Sequence, residues 1–351
     1  LGGLVDRSMV VTERSRGSLR YRLLELLRQF AAVRLLERGD DVAHATGRRH
    51  LHHYVELAES VNRRWFGPDQ VAADGDFERE WDNLRAAHSW ADAHGEQEAS
   101  ARLLVATIGH CHSRMRSEHR TWCFATVDAS RARGTEPSAS VLGWAAWWAM
   151  ITGDLPRALE WSACGRALAG GDDTGASVCR SVEAFALWTT GRGAEATSLV
   201  AELEAASDRL PPWEAYTAER ALFSFSIGGG FERRAERIAA ITARIGAPSL
   251  LASSRFYEAT AKLSGSKDAD AAARLHLEGI ELARLAGAEL AECQNLQGLL
   301  DAKVAVDAPD AREVCIEAIQ RLYELRYWLY LWRVLDGAAR TLARAGRVEE
   351  A

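Results

Sequence analysis

The chain has 351 residues, 48% of them hydrophobic, and its 43 basic and 49 acidic residues leave a net charge of −6. That is enough apolar material for two or three domains with buried cores and excludes wholesale disorder. It also excludes a chain-wide electrostatic footprint for nucleic acid, so any such contact has to be local. Lysine stands only at Lys262, Lys267 and Lys303, so nearly all the positive charge is arginine. The six cysteines (Cys111, Cys123, Cys164, Cys179, Cys293, Cys315) form no CxxC pair and read as reduced core residues. No apolar run approaches the ~20 residues that cross a bilayer, and no signal sequence opens the chain. A cytoplasmic protein without membrane contact is expected. Seven prolines among long runs of Ala, Leu, Arg and Glu favour an almost wholly helical, all-α fold. The chain starts at Leu1 without a methionine and stops at Ala351, and both ends look cut from something longer.

In chain order, strands are expected only near the start. Val5 to Glu13 is rich in β-branched residues, Ser15 to Ser18 is turn chemistry, and Leu19 to Leu23 alternates apolar and basic. The hairpin is followed by a helix: Leu23, Leu24, Leu27, Phe30, Ala31, Val33 and Leu36 repeat at helical spacing until Gly39. A second helical segment over 42–65 ends at Phe66-Gly67-Pro68. Residues 1–66 carry a local charge of +4 and the remainder −10, an asymmetry that marks a boundary near Gly67. The expected division is a module at 1–40, a helical linker at 41–75, and repeats over 76–351.

The repeats appear when three glycines are superposed. Gly153, Gly191 and Gly230 are separated by 38 and 39 residues, and five residues after each stands Ala158, Ala196 or Ala235. Seven residues before them stand Ala146, Ala184 and Phe223, so the small residue wanted where two helices approach is present twice and missing once. Less regular hairpins are expected over 76–130 and 252–325, with turns near Gly95, Arg116, Gly265 and Pro309. Spacing and small residues resemble tetratricopeptide repeats, whose period is about 34 residues. That resemblance implies a right-handed α-solenoid of helix hairpins. Gly346, with Ala339 seven before and Ala351 five after, fits a last repeat cut within its second helix.

Motifs that would carry chemistry are weak. Gly265-Ser266-Lys267 lacks the upstream glycine and Gly-Lys pair of a phosphate loop, and no GxSxG or HExxH occurs, so no catalytic residue is assigned. Gly191-Arg192-Gly193 with Ala196 satisfies a dinucleotide-type spacing, but it falls in the recurring repeat turn. His50 with His53, and His119 with Cys123 near His110, Cys111 and His112, share helix faces without closing a four-ligand set, so no metal site is assigned. Arg14, Arg16, Arg20 and Arg22 cluster on the hairpin and could grip a phosphate backbone, yet the helix after it is built to pack.

The aromatics are more informative. In stacked hairpins the first helices line the hollow. By resemblance to tetratricopeptide grooves, positions six and three before the turn glycine face it: Trp147 and Met150, then Phe185 and Trp188; the third hairpin adds Ser224, six before Gly230, and Arg220, ten before it. These six are the candidate groove for a ligand or partner. The competing reading is that large aromatics merely fill space between helices.

A wider resemblance enters with LGGLVDRSMVV, LRYRLLELLRQFAAVRLLERGD and the later DFEREWDNLRAAHSWADAHG. They resemble the winged-helix end and repeat-introducing helix of STAND-type (NB-ARC-like) signalling ATPases, especially bacterial transcriptional regulators of the LuxR and SARP types and their cyclase-linked relatives. The resemblance implies a parent with a nucleotide-binding core that uses ATP or ADP and Mg, none of it in this segment. It implies an arm whose repeats bind an inducer, peptide or protein and relieve autoinhibition. Partners would be the upstream nucleotide-binding domain and, in some cases, further copies of the chain, with DNA reached only through other domains. In that superfamily a Met-His-Asp motif contacts the nucleotide diphosphate. Here Leu23, Leu24 and Glu25 stand in its places, so Leu24 cannot donate the histidine's hydrogen bond and Glu25 keeps only the acidic member. The alternative is a protein-interaction or oligomerisation scaffold that senses no small molecule.

Overall fold

The computed structural model describes residues 2–15, 18–168, 174–226, 229–344 and 346. The chain divides into two compact units, 1–54 and 55–351.

In the first unit a short helix α1 (Gly2–Asp6) precedes the hairpin of β1 (Val10–Ser15) and β2 (Ser18–Leu23). The strands pair antiparallel, Val10 opposite Leu23 and Glu13 opposite Arg20. The hairpin is where the sequence placed it, but Val5 and Asp6 are helical rather than extended. The Ser8 and Met9 amides donate to the Val5 and Leu4 carbonyls, closing α1, and the strand starts only where Val10, Val11 and Thr12 are consecutive β-formers. Arg16, at the expected wing turn, lies outside the described residues. Helix α2 (Glu25–Leu36) follows directly and ends before Gly39, which takes a φ of +107°. Its Leu26, Phe30, Val33 and Leu36 stand exposed, an apolar stripe at helical spacing. The unit boundary falls inside α3 (Asp40–Trp65).

The second unit is a stack of antiparallel helices: α4 (Gln70–His94), α5 (Gln97–Ser113), α6 (Ser117–Ala132), α7 (Ala139–Ile151), α8 (Leu155–Leu168), α9 (Thr174–Thr189) and α10 (Gly193–Ser207). It continues through α11 (Pro212–Ser224), α12 (Phe231–Ile245), α13 (Pro248–Ala261), α14 (Ala269–Ala286), α15 (Glu289–Ala305), α16 (Ala311–Glu324) and α17 (Trp328–Arg344). The fold is therefore the expected all-α, solenoid-like one. The turn near Gly265 is a π-helical segment, Lys262–Ser266. The three superposed glycines adopt φ of +86°, +80° and +89°, a conformation that costs an L-residue about 1–2 kcal/mol. The small residues around them are buried: Ala184 and Ala196 share one core cluster, and where Phe223 replaces the first alanine it packs in a cluster with the small Ala235.

Successive first helices α7, α9 and α11 pack side by side, as do α13, α15 and α17. The stack then curls until early and late helices touch: α4 meets α13, α5 meets α15, and α7 meets α17. A reciprocal pair of hydrogen bonds pins one of these meetings. The Gln70 amide oxygen accepts the Ser249 backbone N–H at 2.7 Å, and its Nε2 donates to the Ser249 hydroxyl at 2.5 Å. Gln70 thereby caps one of the amides that the first turn of α13 leaves without a helical partner. Curling encloses whole helices. Residues 141–151 of α7 and 290–300 of α15 are buried on every side, and the first of these runs is correspondingly apolar all round.

Polar groups inside are fixed by specific partners. His119 is fully enclosed; its Nε2–H donates to the Leu104 carbonyl at 3.1 Å and its Nδ1 accepts the Trp148 indole N–H at 3.1 Å. Asn295 donates to the Ala252 and Ala291 carbonyls, which fixes its amide so that Oδ1 accepts from His276 Nδ1 at 3.2 Å. Burial pushes both His119 and His276 down to about 4.

Two outcomes follow from this packing. Gln70→Leu leaves the buried Ser249 N–H without an acceptor and should cost about 1–3 kcal/mol in chemical denaturation. Between pH 6.5 and about 4 the unfolded chain protonates His119 and His276 while the native chain does not, so these residues make stability fall as pH drops through that window. His119→Gln should flatten the urea midpoint against pH over that range relative to the unsubstituted chain; an unchanged slope would show that His119 is protonated in the fold.

Candidate functional site

Curling of the stack leaves a cavity of about 90 Å³ among its inner helices. Its walls come from His112 of α5, Trp144 and Trp147 of α7, Val178, Val182 and Phe185 of α9, Thr217, Arg220 and Ser224 of α11, Tyr257 of α13 and Tyr330 of α17. Of the six groove residues expected from the sequence, Trp147, Phe185, Arg220 and Ser224 thus converge on one space. Met150 is buried but does not line it. Trp188 is 46% exposed and packs edge-on to Phe225 at 5.8 Å, and it is Phe225 that reaches the cavity there. Trp147 is only 7% exposed and touches the His112 ring at 4.4 Å and Trp148 at 5.0 Å, so it packs the core and walls the cavity at once.

The electrostatics of this cavity are one-sided. Arg220 donates from Nε to the Tyr257 hydroxyl at 3.0 Å and lies 5.4 Å from the Tyr216 ring centre. Among the described residues no aspartate or glutamate lines the cavity and no carboxylate pairs with Arg220. The acidic residue beside it in sequence is turned elsewhere. Glu219, wholly buried, accepts from Arg234 at 3.1 Å and from Arg237 at 2.8 Å, both on α12. Consecutive residues on a helix point about 100° apart, so Glu219 faces α12 while Arg220 faces the cavity. Burial raises the Tyr257 and Tyr327 hydroxyls well above their usual range, so they stay neutral and do not balance the guanidinium. Burial and then the Arg220 charge hold His112 well below the usual histidine range. Its Nε2 is enclosed without a hydrogen-bond partner.

A larger cavity of about 550 Å³ lies between α13, the π-helical turn, α14, α15 and α17. Its arginines have carboxylates: Asp301 has Arg340 at 3.2 Å and Arg333 at 3.7 Å, while the exposed Lys267 donates to the Ser264 carbonyl at 2.9 Å. Arg220, in the smaller cavity, has no such carboxylate among the described residues.

The remaining sequence candidates are placed as follows. Leu24 is exposed just before α2, and Glu25 is held by Arg28 at 2.7 and 2.9 Å and by Gln29 at 2.7 Å, contacts that pull its carboxyl down to about 2. His119 and Cys123 lie 3.5 Å apart, but both ring nitrogens of His119 already serve Leu104 and Trp148. His50 and His53 each lie against the Tyr54 ring. No cluster of three or more His, Cys, Asp or Glu with metal-binding geometry occurs among the described residues. Gly191-Arg192-Gly193 forms the α9–α10 turn, with Arg192 paired to Glu195. No described helix is long and apolar enough to cross a membrane.

Sequence reasoning missed His112, Tyr257 and Tyr330. They lie outside the three regular hairpins, and they reach the cavity only because the stack curls. The aromatic residues of α13 and α17 were the available signal, but no repeat turn gave them a register.

The chain matches no known family profile. It is similar to provisionally named HTH-type transcriptional regulators of Mycobacterium bovis and Mycobacterium tuberculosis, 32% identical over 162 aligned residues. The match covers 41% of this chain and 17% of each relative, so the chain spans a small part of the regulators it resembles. This is distant homology to transcriptional regulators, and it supports a regulatory role in general.

Proposed function

We propose that this chain is the sensing arm of a multidomain STAND-type transcriptional regulator, in which tetratricopeptide-like hairpins bind an inducer and relieve autoinhibition. The observation that carries the reading is the convergence of Trp147, Phe185, Arg220 and Ser224, from three successive hairpins, on a cavity inside the stack. The relatives' names support the transcriptional output, and the exposed stripe of Leu26, Phe30, Val33 and Leu36 supports a docking face for an upstream nucleotide-binding domain. That domain would carry the ATP or ADP and Mg, and this segment would be non-enzymatic and cytoplasmic. For a ligand to switch the regulator it has to prefer one arrangement of arm and core, because equal affinity for both shifts nothing.

A scaffold reading draws on a different observation. Tyr323, Trp328, Trp332 and Leu335 of α16 and α17 are exposed and could seat another protein or a second copy.

Thermal shift of the purified chain against metabolite and peptide collections, run beside light scattering over a concentration series, separates the two. A ligand at a hundred times its dissociation constant adds about 2.7 kcal/mol, and Phe185→Ala should weaken that stabilisation while leaving the circular dichroism unchanged. A uniformly silent screen with concentration-dependent self-association would replace the sensor by the scaffold.

A further inference from the structure

We infer that the cavity around Arg220 is a binding site for a small organic monocarboxylate, its acid group on the guanidinium and its apolar body against Trp147 and Phe185. This rests on reading the cavity as the ligand site and specifies the ligand's chemistry.

Charge comes first. A guanidinium placed among aromatic rings costs free energy unless an anion or several hydrogen bonds answer it, and here the protein supplies one phenol oxygen and one ring face. Structural arginines elsewhere in this chain are answered by carboxylates: Arg234 and Arg237 by Glu219, Arg166 by Glu183, Arg284 by Glu292. Arg220 lacks that answer while facing an unfilled space, which is the arrangement an anionic ligand completes.

Hydrogen-bond directions agree. Because Tyr257 accepts from Arg220 Nε, its own O–H is left to donate. Tyr330 accepts from Gln294 Nε2 at 3.5 Å, so its O–H is likewise available. His112 is 5% exposed, neutral, and its Nε2 has no partner. In the Nε2–H tautomer it adds a third donor. The donors have no acidic residue among the walls to satisfy instead.

Charge count and size narrow the class. One guanidinium beside a neutral Tyr257 and a neutral His112 balances a single negative charge, which favours a monocarboxylate over a phosphate dianion. Trp144, Trp147, Val178, Val182 and Phe185 give the opposite side an apolar surface suited to a hydrocarbon tail. At about 90 Å³ the space is smaller than the ~150 Å³ cavity that accepts benzene, so the acid is short-chained unless a side chain moves.

The test is calorimetric titration of the chain with acetate, propionate and butyrate, with acetamide, propionamide and butyramide as neutral isosteres, and with inorganic phosphate. Acids should bind at least about tenfold more tightly than their amides, and Arg220→Gln should lose at least about tenfold in acid affinity while leaving amide binding unchanged. Tyr257→Phe should lose about threefold to tenfold, and it serves as the readout should circular dichroism show that Arg220→Gln is unfolded. Amides binding as well as acids, with Phe185→Ala abolishing both, would overturn the anion assignment and leave the sensor reading intact. Phosphate binding in preference to every carboxylate would overturn the monocarboxylate class. Failure of every compound to bind would overturn the assignment outright, and the metabolite and peptide screen would then decide the sensor reading by itself.

Discussion

The second unit depends on one geometrical constraint: a stack of helix hairpins curls far enough for its early helices to meet its late ones. An open stack pays for solvation of its concave face only with polar side chains. A stack that curls shut must bury that face, and the helices lining it then need residues that tolerate enclosure on all sides. Helix α7 meets the demand with tryptophan, alanine and methionine. Helix α15 meets it differently, with Glu292, Gln294, Asn295 and Gln297 each buried against a defined partner. Such groups are expensive to enclose unless satisfied, so they fix which helix surfaces meet as well as stabilising the meeting. Gln70 and Ser249, 179 residues apart, do the same where α4 reaches α13.

That constraint also explains the isolation of Arg220. On an open groove an arginine would be hydrated and would need no partner. Packing of α5, α13 and α17 around the half-buried Arg220 brings tyrosines instead of carboxylates, while Glu219 is held by the arginines of α12. The proposed ligand site rests on this difference: Arg234, Arg237, Arg166 and Arg284 each have a carboxylate and Arg220 has none among the described residues.

The fold was legible where local physics repeats. The glycine turns, the buried alanines beside them and the terminal hairpin each follow from backbone sterics or helix periodicity, which act within a few residues. Trp147, Phe185 and Ser224 reach one cavity for the same reason: each stands six residues before its turn glycine, and Arg220 lies one helical turn before Ser224. Trp188 shows the limit of the offset, since a face is about 100° wide and Phe225 from the next hairpin occupies the inner part of it. Val5 and Asp6 show another limit, because β-branched character at one position yields to hydrogen bonds that close a helical turn. Curling was not legible. It arises from a small rotation per hairpin summed over the whole stack, and no window of sequence contains that sum.

The same summation gives the cavity its mechanical meaning. Its walls belong to α5, α7, α9, α11, α13 and α17, so an occupant would touch the beginning, middle and end of the stack at once. On the proposed reading, contacts of a ligand to Tyr330 of α17 or His112 of α5 would require the curled arrangement, whereas contacts to Phe185 and Arg220, on adjacent helices, would not. The difference between those two sets would be the differential affinity that a switch requires. An acid group held by Arg220 and donated to by Tyr330 and Tyr257 would tie α11, α13 and α17 through one ligand atom group. Under the proposed sensing role, curvature of the stack, rather than any single hinge, would be the quantity that the ligand sets.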